Sequence, residues 1–271
     1  MVAHTSKIRK ATIERKLKEQ ALANSQGFHQ RWQHTRDRTG SGTKTRLACS
    51  KAAGEEVHLL SEAEHAEFLE GWYRRDVKVI YDQVAIDREK TQRAAASINV
   101  VHPFYRRLGE PAVLSTSLVY ITDRGKSYKR EARSVRSIRR GKESELTRPQ
   151  LIERKAWEND GALFVAVRKN GMHTYRSINL AWIFRAHNDT IGRPLSDTEM
   201  AAQHEFLRLV RRKKAMRVID ACGLVDRTAG LPVGSGVRAF RQLAGARRLA
   251  FDLDVSNPLS IPLGEIWRPA P

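Results

Sequence analysis

The chain has 271 residues, of which 49 are lysine or arginine and 30 are aspartate or glutamate, so its formal net charge is +19. This length allows two domains with separate cores, and so large a positive excess favours a nucleic acid as partner over a neutral one. The sequence shows no apolar run of membrane-spanning length, amphipathic anchor helix, lipidation signal or signal peptide, so we expect a cytoplasmic protein.

Residues 1–175 contain the predicted elements of a mixed α/β domain. Helical spacing of apolar residues predicts a basic helix within residues 1–25, and Ser61 is the expected N-cap of a helix ending at Tyr73. Strands are predicted at 77–86, 113–122, 128–138 and 162–168, with a hairpin turn at 123–126 and a further helix at 149–159. The last strand is expected to be buried by its unbroken apolar content. The order helix, three strands, helix, strand is that of restriction-endonuclease-like nucleases, although many α/β domains share it.

Residues 176–271 have a different pattern and are predicted to form a second, mainly helical domain. Ser196-Asp197-Thr198-Glu199 is the signature of a capping box before a helix. A second helix is predicted through 216–219, ended by Gly223, and a third at 236–247, followed by a strand at 249–255. Three helices and a strand favour a winged-helix domain whose third helix enters a DNA groove. A helical packing domain fits the same pattern equally well.

Positive charge is concentrated in runs. Residues 1–50 hold 11 basic and 3 acidic side chains. A second run, at residues 208–217, contains no acidic residue, and further arginines follow in the third predicted helix. Several runs of one sign favour phosphate contact over a merely solvated face, so we predict DNA-binding roles for Arg211, Arg212, Lys213, Lys214, Arg238 and Arg241. Cys49 and Cys222 lack the spacing of a disulfide framework or a zinc site.

Five short segments, in the same order along the chain, resemble TnsA, the endonuclease subunit of heteromeric bacterial transposases. They are Val-His-Leu-Leu-Ser-Glu-Ala-Glu at 57–64, Asp-Val-Lys-Val-Ile-Tyr-Asp-Gln at 76–83, His-Pro at 102–103, Leu-Ser-Thr-Ser at 114–117 and Ser-Val-Arg at 134–136. The likeness also extends to the amino-terminal helix, to the loop at 27–43 and, more loosely, to the carboxyl half. The resemblance implies a restriction-endonuclease-like nuclease domain.

The family cuts DNA with Mg²⁺ held by a glutamate on a helix and an aspartate on a strand, beside a glutamine and a lysine. Mg²⁺ takes oxygen ligands and activates water for attack on the phosphodiester. Matched onto this chain, the resemblance retains Glu64 but places Ser117 at the aspartate, Ser134 at the glutamine and Arg136 at the lysine. Losing the central carboxylate removes metal binding, and a guanidinium differs from an ammonium in shape and proton exchange.

Several roles remain open for these residues. Glu64 completes the pattern Ser61-x-x-Glu64 of a capping box, which predicts a purely structural role. The alternative is that Glu64 is the one retained metal ligand. Asp87, Asp123 or Glu131 would have to supply a substitute carboxylate if the protein were active. Arg133, Arg136, Arg139 and Arg140 are dense on one predicted strand and its end, where we predict that they bind phosphate.

We therefore expect a DNA-binding, TnsA-like subunit of a transposition complex that has lost its nuclease, with Mg²⁺ as cofactor only if it is active. The resemblance implies three partners, namely transposon-end DNA, a DDE-family transposase and an AAA+ regulator, and a location at the bacterial nucleoid. Two alternatives stay open. One is an active Mg²⁺-dependent endonuclease that cuts 5′ transposon ends, and the other is a winged-helix regulator on a relic nuclease scaffold.

Overall fold

A computed structural model describes residues 9–37, 42–125, 127–138 and 145–269. The chain divides into two compact units, Met1–Met172 and His173–Pro271. The first is a mixed α/β unit with a central sheet, and the second is mainly helical. A boundary after residue 175 would separate Tyr175 from the helix that it begins, whereas the division after Met172 leaves that helix whole.

The first unit contains four helices and eight strands among its described residues. In chain order they are α1 Lys10–Ser25, β1 Thr45–Ala48, β2 Glu56–Leu59, α2 Glu62–Tyr73, β3 Val77–Ala85, α3 Arg88–Ser97, β4 Phe104–Tyr105, β5 Glu110–Pro111, β6 Ser115–Asp123, β7 Tyr128–Ser137, α4 Arg148–Asn159 and β8 Leu163–Lys169. A short 3-10 turn spans Thr35–Asp37.

The central sheet has the strand order β3-β6-β7-β8, with the last pair parallel and the others antiparallel. Two adjacent side chains of β6 show which helices cover each face of the sheet. Val119 belongs to an apolar core with residues of α3 and α4, while the Tyr120 hydroxyl donates to the Glu67 carbonyl of α2 at 2.8 Å. Because neighbouring side chains of a strand point to opposite faces, α2 covers one face and α3 with α4 cover the other.

Helix α2 approaches the sheet closely at Gly71. A Cβ added there would lie 2.4 Å from Cζ of Tyr120, so only glycine allows this contact between helix and ring. At its start, Ser61 is the N-cap as predicted, accepting a hydrogen bond from the Glu64 N–H. The hairpin turn between β6 and β7 also forms, with the Gly125 N–H donating to the Asp123 carboxylate at 2.8 Å. Lys126, in the same predicted turn, lies outside the described residues.

One prediction for the first unit is corrected, and one of its helices was not predicted. The predicted strand at 162–168 forms as β8, but the expectation that it is buried is wrong, because β8 is an edge strand and Leu163 is 55% exposed. Helix α3 was not predicted from the sequence. Asp87 caps it by accepting from the Lys90 N–H at 3.0 Å, and only its small residues Thr91, Ala94 and Ala95 are buried, which leaves a weak apolar signal.

The second unit has four helices, α5 Tyr175–Asn188, α6 Asp197–Arg212, α7 Val218–Thr228 and α8 Ser235–Gly245, with a 3-10 turn at Leu263–Glu265. Helix α8 packs against the other three. Gly236 shows how tightly, because an added Cβ would lie 2.4 Å from the Cys222 carbonyl oxygen of α7. The predicted capping box of α6 is formed by Ser196 and Glu199.

Two expectations for this unit are wrong, and one of its helices was not predicted. Helix α7 continues through Gly223 to Thr228 instead of ending there. Residues 249–255 form no strand, and the only pairing described for them is an isolated bridge between Ala250 and Trp267. Helix α5 precedes the three predicted helices. The described residues therefore contain no strand after α8 to form a wing, and the helical packing domain describes this unit better.

No helix among the described residues is both long and apolar enough to cross a membrane.

Candidate functional site

Glu64 lies in the first turn of α2, where protein encloses its carboxylate. Its Oε2 atom accepts hydrogen bonds from the Leu60 backbone N–H at 2.7 Å and from Gln83 Nε2 at 3.0 Å. The residue is 1% exposed. Glu64 therefore stabilises the start of α2 and joins that helix to β3. The amide that it accepts from is that of Leu60 and not that of the N-cap Ser61, so its bonding differs from the predicted capping box.

Gln83 reaches Glu64 because the alternation of β3 is interrupted at this point. Tyr81 and Val84 both pack against the core beneath α3 and α4, although residues three apart face opposite sides in a regular strand. Gln83 has a φ of +48°, in the left-handed region that non-glycine residues rarely adopt and that often marks a functional site. Asp82 and Gln83 thus both turn away from that core.

The β3–β6 ladder pairs Asp82 with Leu118 and Val84 with Thr116, so Ser117 and Gln83 lie between these two pairs, where the alternation of β6 is interrupted too. Thr116 accepts a hydrogen bond from the tryptophan indole of α4, and Val119 belongs to the core beside α4. Since these two positions share a face, Ser117 and Leu118 between them turn to the α2 side. The Ser117 hydroxyl accepts from the Val135 N–H at 3.4 Å.

Ser134 and Arg136 point to the other face of the sheet. The Ser134 hydroxyl accepts from Gln150 Nε2 of α4 at 3.3 Å, and Arg136 Nη2 lies 4.0 Å from Glu153 Oε1 of the same helix. Both follow Ala132, which is in the core with α4, in the two-residue alternation of β7. The four positions matched to the nuclease motif are therefore divided, with Glu64 and Ser117 on the α2 side and Ser134 and Arg136 on the α4 side.

These residues do not fit Mg²⁺. A protein magnesium site has one or two carboxylates, keeps several waters and leaves room for a substrate phosphate. Here the single carboxylate, Glu64, is buried and hydrogen-bonded to a backbone amide. Ser117 offers only a neutral hydroxyl and is 7% exposed. No group of three histidine, cysteine, aspartate or glutamate residues in the described parts of the chain is arranged to hold a metal.

The three substitute carboxylates have structural roles. Asp87 caps α3 and Asp123 caps the hairpin turn. Glu131 is 2% exposed and accepts hydrogen bonds from three arginines at 2.7–3.0 Å, namely Arg74, Arg124 and Arg133. These bonds, led by that from Arg74, hold the pKa of Glu131 below its ordinary value despite burial. None of these contacts brings Asp87, Asp123 or Glu131 next to Glu64.

Arg133 is held inside the first unit. Its Nη1 lies 3.0 Å from Glu67 Oε1, and its guanidinium lies 5.1 Å from the centre of the Tyr120 ring. The side chain is 17% exposed. Burial raises the pKa of Glu67, which Arg133 and Lys169 oppose. The DNA contact predicted for Arg133 would require its contacts with Glu67 and Tyr120 to open. Arg139 and Arg140, predicted to bind DNA with it, lie outside the described residues.

A buried ionic cluster beside this site was missed by sequence reasoning. Asp82, 1% exposed, accepts from His29 Nε2 at 3.1 Å, from Arg31 Nε at 2.9 Å and from the His58 backbone N–H at 2.8 Å. Burial acts to raise the pKa of Asp82, but the hydrogen bonds from His29 and Arg31 outweigh it and hold the pKa below the ordinary value. The sequence signal for this cluster is Asp82 itself, an acidic residue within an otherwise largely apolar strand.

The cluster holds the amino-terminal segment over this edge of the sheet. Next to Arg31, Trp32 donates its backbone N–H to the Gln83 carbonyl at 2.8 Å. The Trp32 side chain is buried with Ile13 of α1 and with Tyr105. The segment therefore runs along β3 at the residue that contacts Glu64.

In the second unit the basic run is exposed. Arg211 and Arg212 end α6, and Lys213 and Lys214 follow in the loop to α7. None of the four forms an ion pair with another described residue. The loop itself is held in place, because the Gly264 N–H donates to the Lys214 carbonyl at 2.8 Å. We call these four residues the α6 basic segment.

The α8 arginines differ from each other. Arg238 is exposed. Arg241 donates from Nε and Nη2 to the Trp182 carbonyl at 3.0 and 2.7 Å, and its guanidinium lies 5.0 Å from that indole ring. Burial lowers the pKa of Arg241. Most residues of α8 are buried, so this helix is the centre of the unit and does not present the exposed face that a groove-reading helix needs.

Comparison with protein-family models finds no match for this chain, and comparison with curated proteins finds none either.

Replacing Asp82 by asparagine is expected to lower the free energy of unfolding at neutral pH by about 3 kcal/mol, because it leaves Arg31 without its buried counter-charge. The folded-state pKa lies below the value of about 3.9 for a free aspartate. The stabilisation is therefore fully present above that value and is lost as the pH falls through the folded pKa. The difference between wild type and Asp82→Asn, measured by urea unfolding, should shrink below about pH 4.

Asp220→Asn is the matched control, since Asp220 pairs with Arg217 on the surface and should leave unfolding unchanged. A difference for Asp82→Asn that is equal at pH 7 and pH 3 would contradict the role given to its charge.

Proposed function

We propose that this chain is a DNA-binding, TnsA-like subunit of a DNA transposition complex that does not cut DNA. In this proposal the first unit is a restriction-endonuclease-like domain that serves as a structural bridge, and the second carries DNA contacts. The identification of the family rests on the five collinear sequence segments. The division of Glu64 and Arg136 between opposite faces of the sheet supports the loss of cleavage.

The enclosure of Glu64 is the observation that carries this conclusion. A metal nuclease must bring a carboxylate, a metal ion and a scissile phosphate into direct contact. The Glu64 carboxylate instead meets the Leu60 amide and Gln83, with the segment at 29–32 lying along the same strand. Opening such a site would break these hydrogen bonds and separate Asp82 from its partners His29 and Arg31.

The α6 basic segment supports DNA binding. Two other arginines in its vicinity are neutralised locally, Arg208 by Glu205 and Arg217 by Asp220. The four residues between them carry positive charge that no carboxylate in the described chain balances at ion-pair distance. Such charges gain most from contact with phosphate, because binding releases counterions from DNA.

The partners follow from the resemblance. A TnsA-like subunit works beside a DDE-family transposase and an AAA+ regulator, at transposon ends. A subunit without nuclease activity would retain these contacts and leave strand cutting at the 5′ ends undone. Transposition would then yield cointegrates instead of simple insertions.

The purified protein, mixed with its transposase, transposon-end DNA and Mg²⁺ or Mn²⁺, is expected to leave the 5′ ends uncut, because it cannot assemble the metal site. Strand products resolved on a denaturing gel provide the measurement. Cleavage that disappears in Glu64→Ala would contradict the proposal, while cleavage that persists in that variant would indicate a contaminating nuclease.

Neutralising the α6 basic segment should weaken DNA binding and its salt dependence. Each phosphate contact contributes about 0.9 to the slope of log K against log salt on duplex DNA. The pair Arg211→Gln with Arg212→Gln, and the pair Lys213→Gln with Lys214→Gln, should each lower the slope by up to about 1.8. Fluorescence anisotropy over a salt series measures this.

Arg227→Gln with Arg268→Gln removes two exposed charges of the same unit and is the matched control, for which the slope should change little. Equal slopes for all three pairs and the wild type would reject the α6 basic segment as a phosphate-binding site.

A further inference from the structure

The β6–β7 hairpin ends in an exposed aromatic and basic patch. Tyr128, Lys129 and Arg130 begin β7 directly after the turn, and all three are exposed, Tyr128 to 69%. Neither Lys129 nor Arg130 forms an ion pair with another described residue. We call these three residues the hairpin patch.

The charges beside the patch are balanced within the protein. Arg124 Nη2 lies 2.7 Å from Glu131 Oε1, and Lys78 Nζ lies 3.5 Å from Asp123 Oδ2. Arg74 likewise lies between Asp76 and Glu131. The acidic residues of this end of the sheet are thereby occupied, so the positive charge of Lys129 and Arg130 remains uncompensated.

The patch also extends past the helices that cover the sheet. Tyr128, Arg130 and Ala132 share one face of β7 by its two-residue alternation. Ala132 is in the core with α3 and α4, but Arg130 and Tyr128 are exposed. Helical cover thus ends between Ala132 and Arg130. Lys129 points to the opposite face, so a ligand at the tip meets a cation on either side of the strand.

We propose that the hairpin patch binds a DNA strand, with Lys129 and Arg130 on phosphates and Tyr128 stacked on an unpaired base. The proposal rests on the DNA-binding function proposed above and adds a second contact, in the first unit. Basic side chains that follow the backbone beside an aromatic ring are the elements of single-strand recognition. A membrane contact is less suited, since the patch offers one aromatic residue and no aliphatic anchor.

The charge contribution is tested by fluorescence anisotropy over a salt series. The probes are a short fluorescein-labelled duplex and the same duplex with a single-stranded extension. Lys129→Gln with Arg130→Gln should lower the slope of log K against log salt on the extended probe by about 1.4, at about 0.7 per contact on single strands. Arg93→Gln with Arg107→Gln, two exposed cations of α3 and of the loop between β4 and β5, is the matched control and should bind like the wild type.

The stacking contribution is tested at Tyr128. Tyr128→Ala should weaken binding to the extended probe by at least about fivefold, the lower end of base–aromatic stacking, and change binding to the blunt duplex less. Tyr128→Phe keeps the ring and should bind like the wild type. Because all these side chains are exposed, equal urea unfolding midpoints for every variant are expected and show that folding is intact.

The outcomes separate this inference from the proposed function. If the wild type binds neither probe, both fail. If the α6 basic segment variants lose affinity while Lys129→Gln with Arg130→Gln keeps the wild-type slope, the hairpin patch alone is rejected. Sedimentation with vesicles of neutral and anionic phospholipid that depends on the patch, combined with unchanged DNA binding, would likewise overturn it in favour of a membrane contact.

Discussion

The buried carboxylate of Asp82 is the interaction on which the arrangement of the first unit depends. It lies on β3 and is bound by His29 and Arg31 of the amino-terminal segment and by the His58 amide of β2. Three parts of the chain that are distant in sequence are thus joined at one charge. A buried charge is costly unless it is paired and hydrogen-bonded, so removing any of these partners leaves the others poorly satisfied.

The next residue links this cluster to the candidate site. Gln83, with its left-handed backbone, turns its amide to Glu64, while its carbonyl accepts from Trp32. Glu64 is therefore surrounded by the elements that Asp82 holds together. In a nuclease the same glutamate would face a metal ion and DNA. Here the retained residue type performs a different task, since the surrounding hydrogen bonds use its charge to join a helix to a sheet.

Local signals in the sequence predicted much of the fold. The N-cap of α2 at Ser61, the β6–β7 hairpin and the capping box of α6 depend on a few neighbouring residues, and all three form. Tertiary contacts decided the rest. Gly223 lies inside α7 although glycine often ends a helix, and residues 249–255 alternate in sequence but pair only at Ala250.

The candidate site was harder to predict than the fold. Sequence pattern gave Glu64, Ser117, Ser134 and Arg136 as one group because it matched their order along the chain. Their division between two faces depends on interrupted alternation at Gln83 and Ser117, which a two-residue period cannot reveal. Asp82 stands out in the sequence as an acidic residue within an apolar strand, but its partners at 29, 31 and 58 are brought to it only by folding.

Reverting two of the substituted positions shows whether the nuclease site can assemble in this fold. Ser117→Asp combined with Arg136→Lys restores the aspartate and the lysine of the nuclease motif, and strand cleavage of transposon-end DNA is then assayed with Mg²⁺ or Mn²⁺ and the transposase. Because Glu64 is enclosed and position 136 faces α4, we expect the reverted protein to remain unable to cut. Cleavage that appears on reversion and is abolished by adding Glu64→Ala would show that the site can assemble, and would contradict the account.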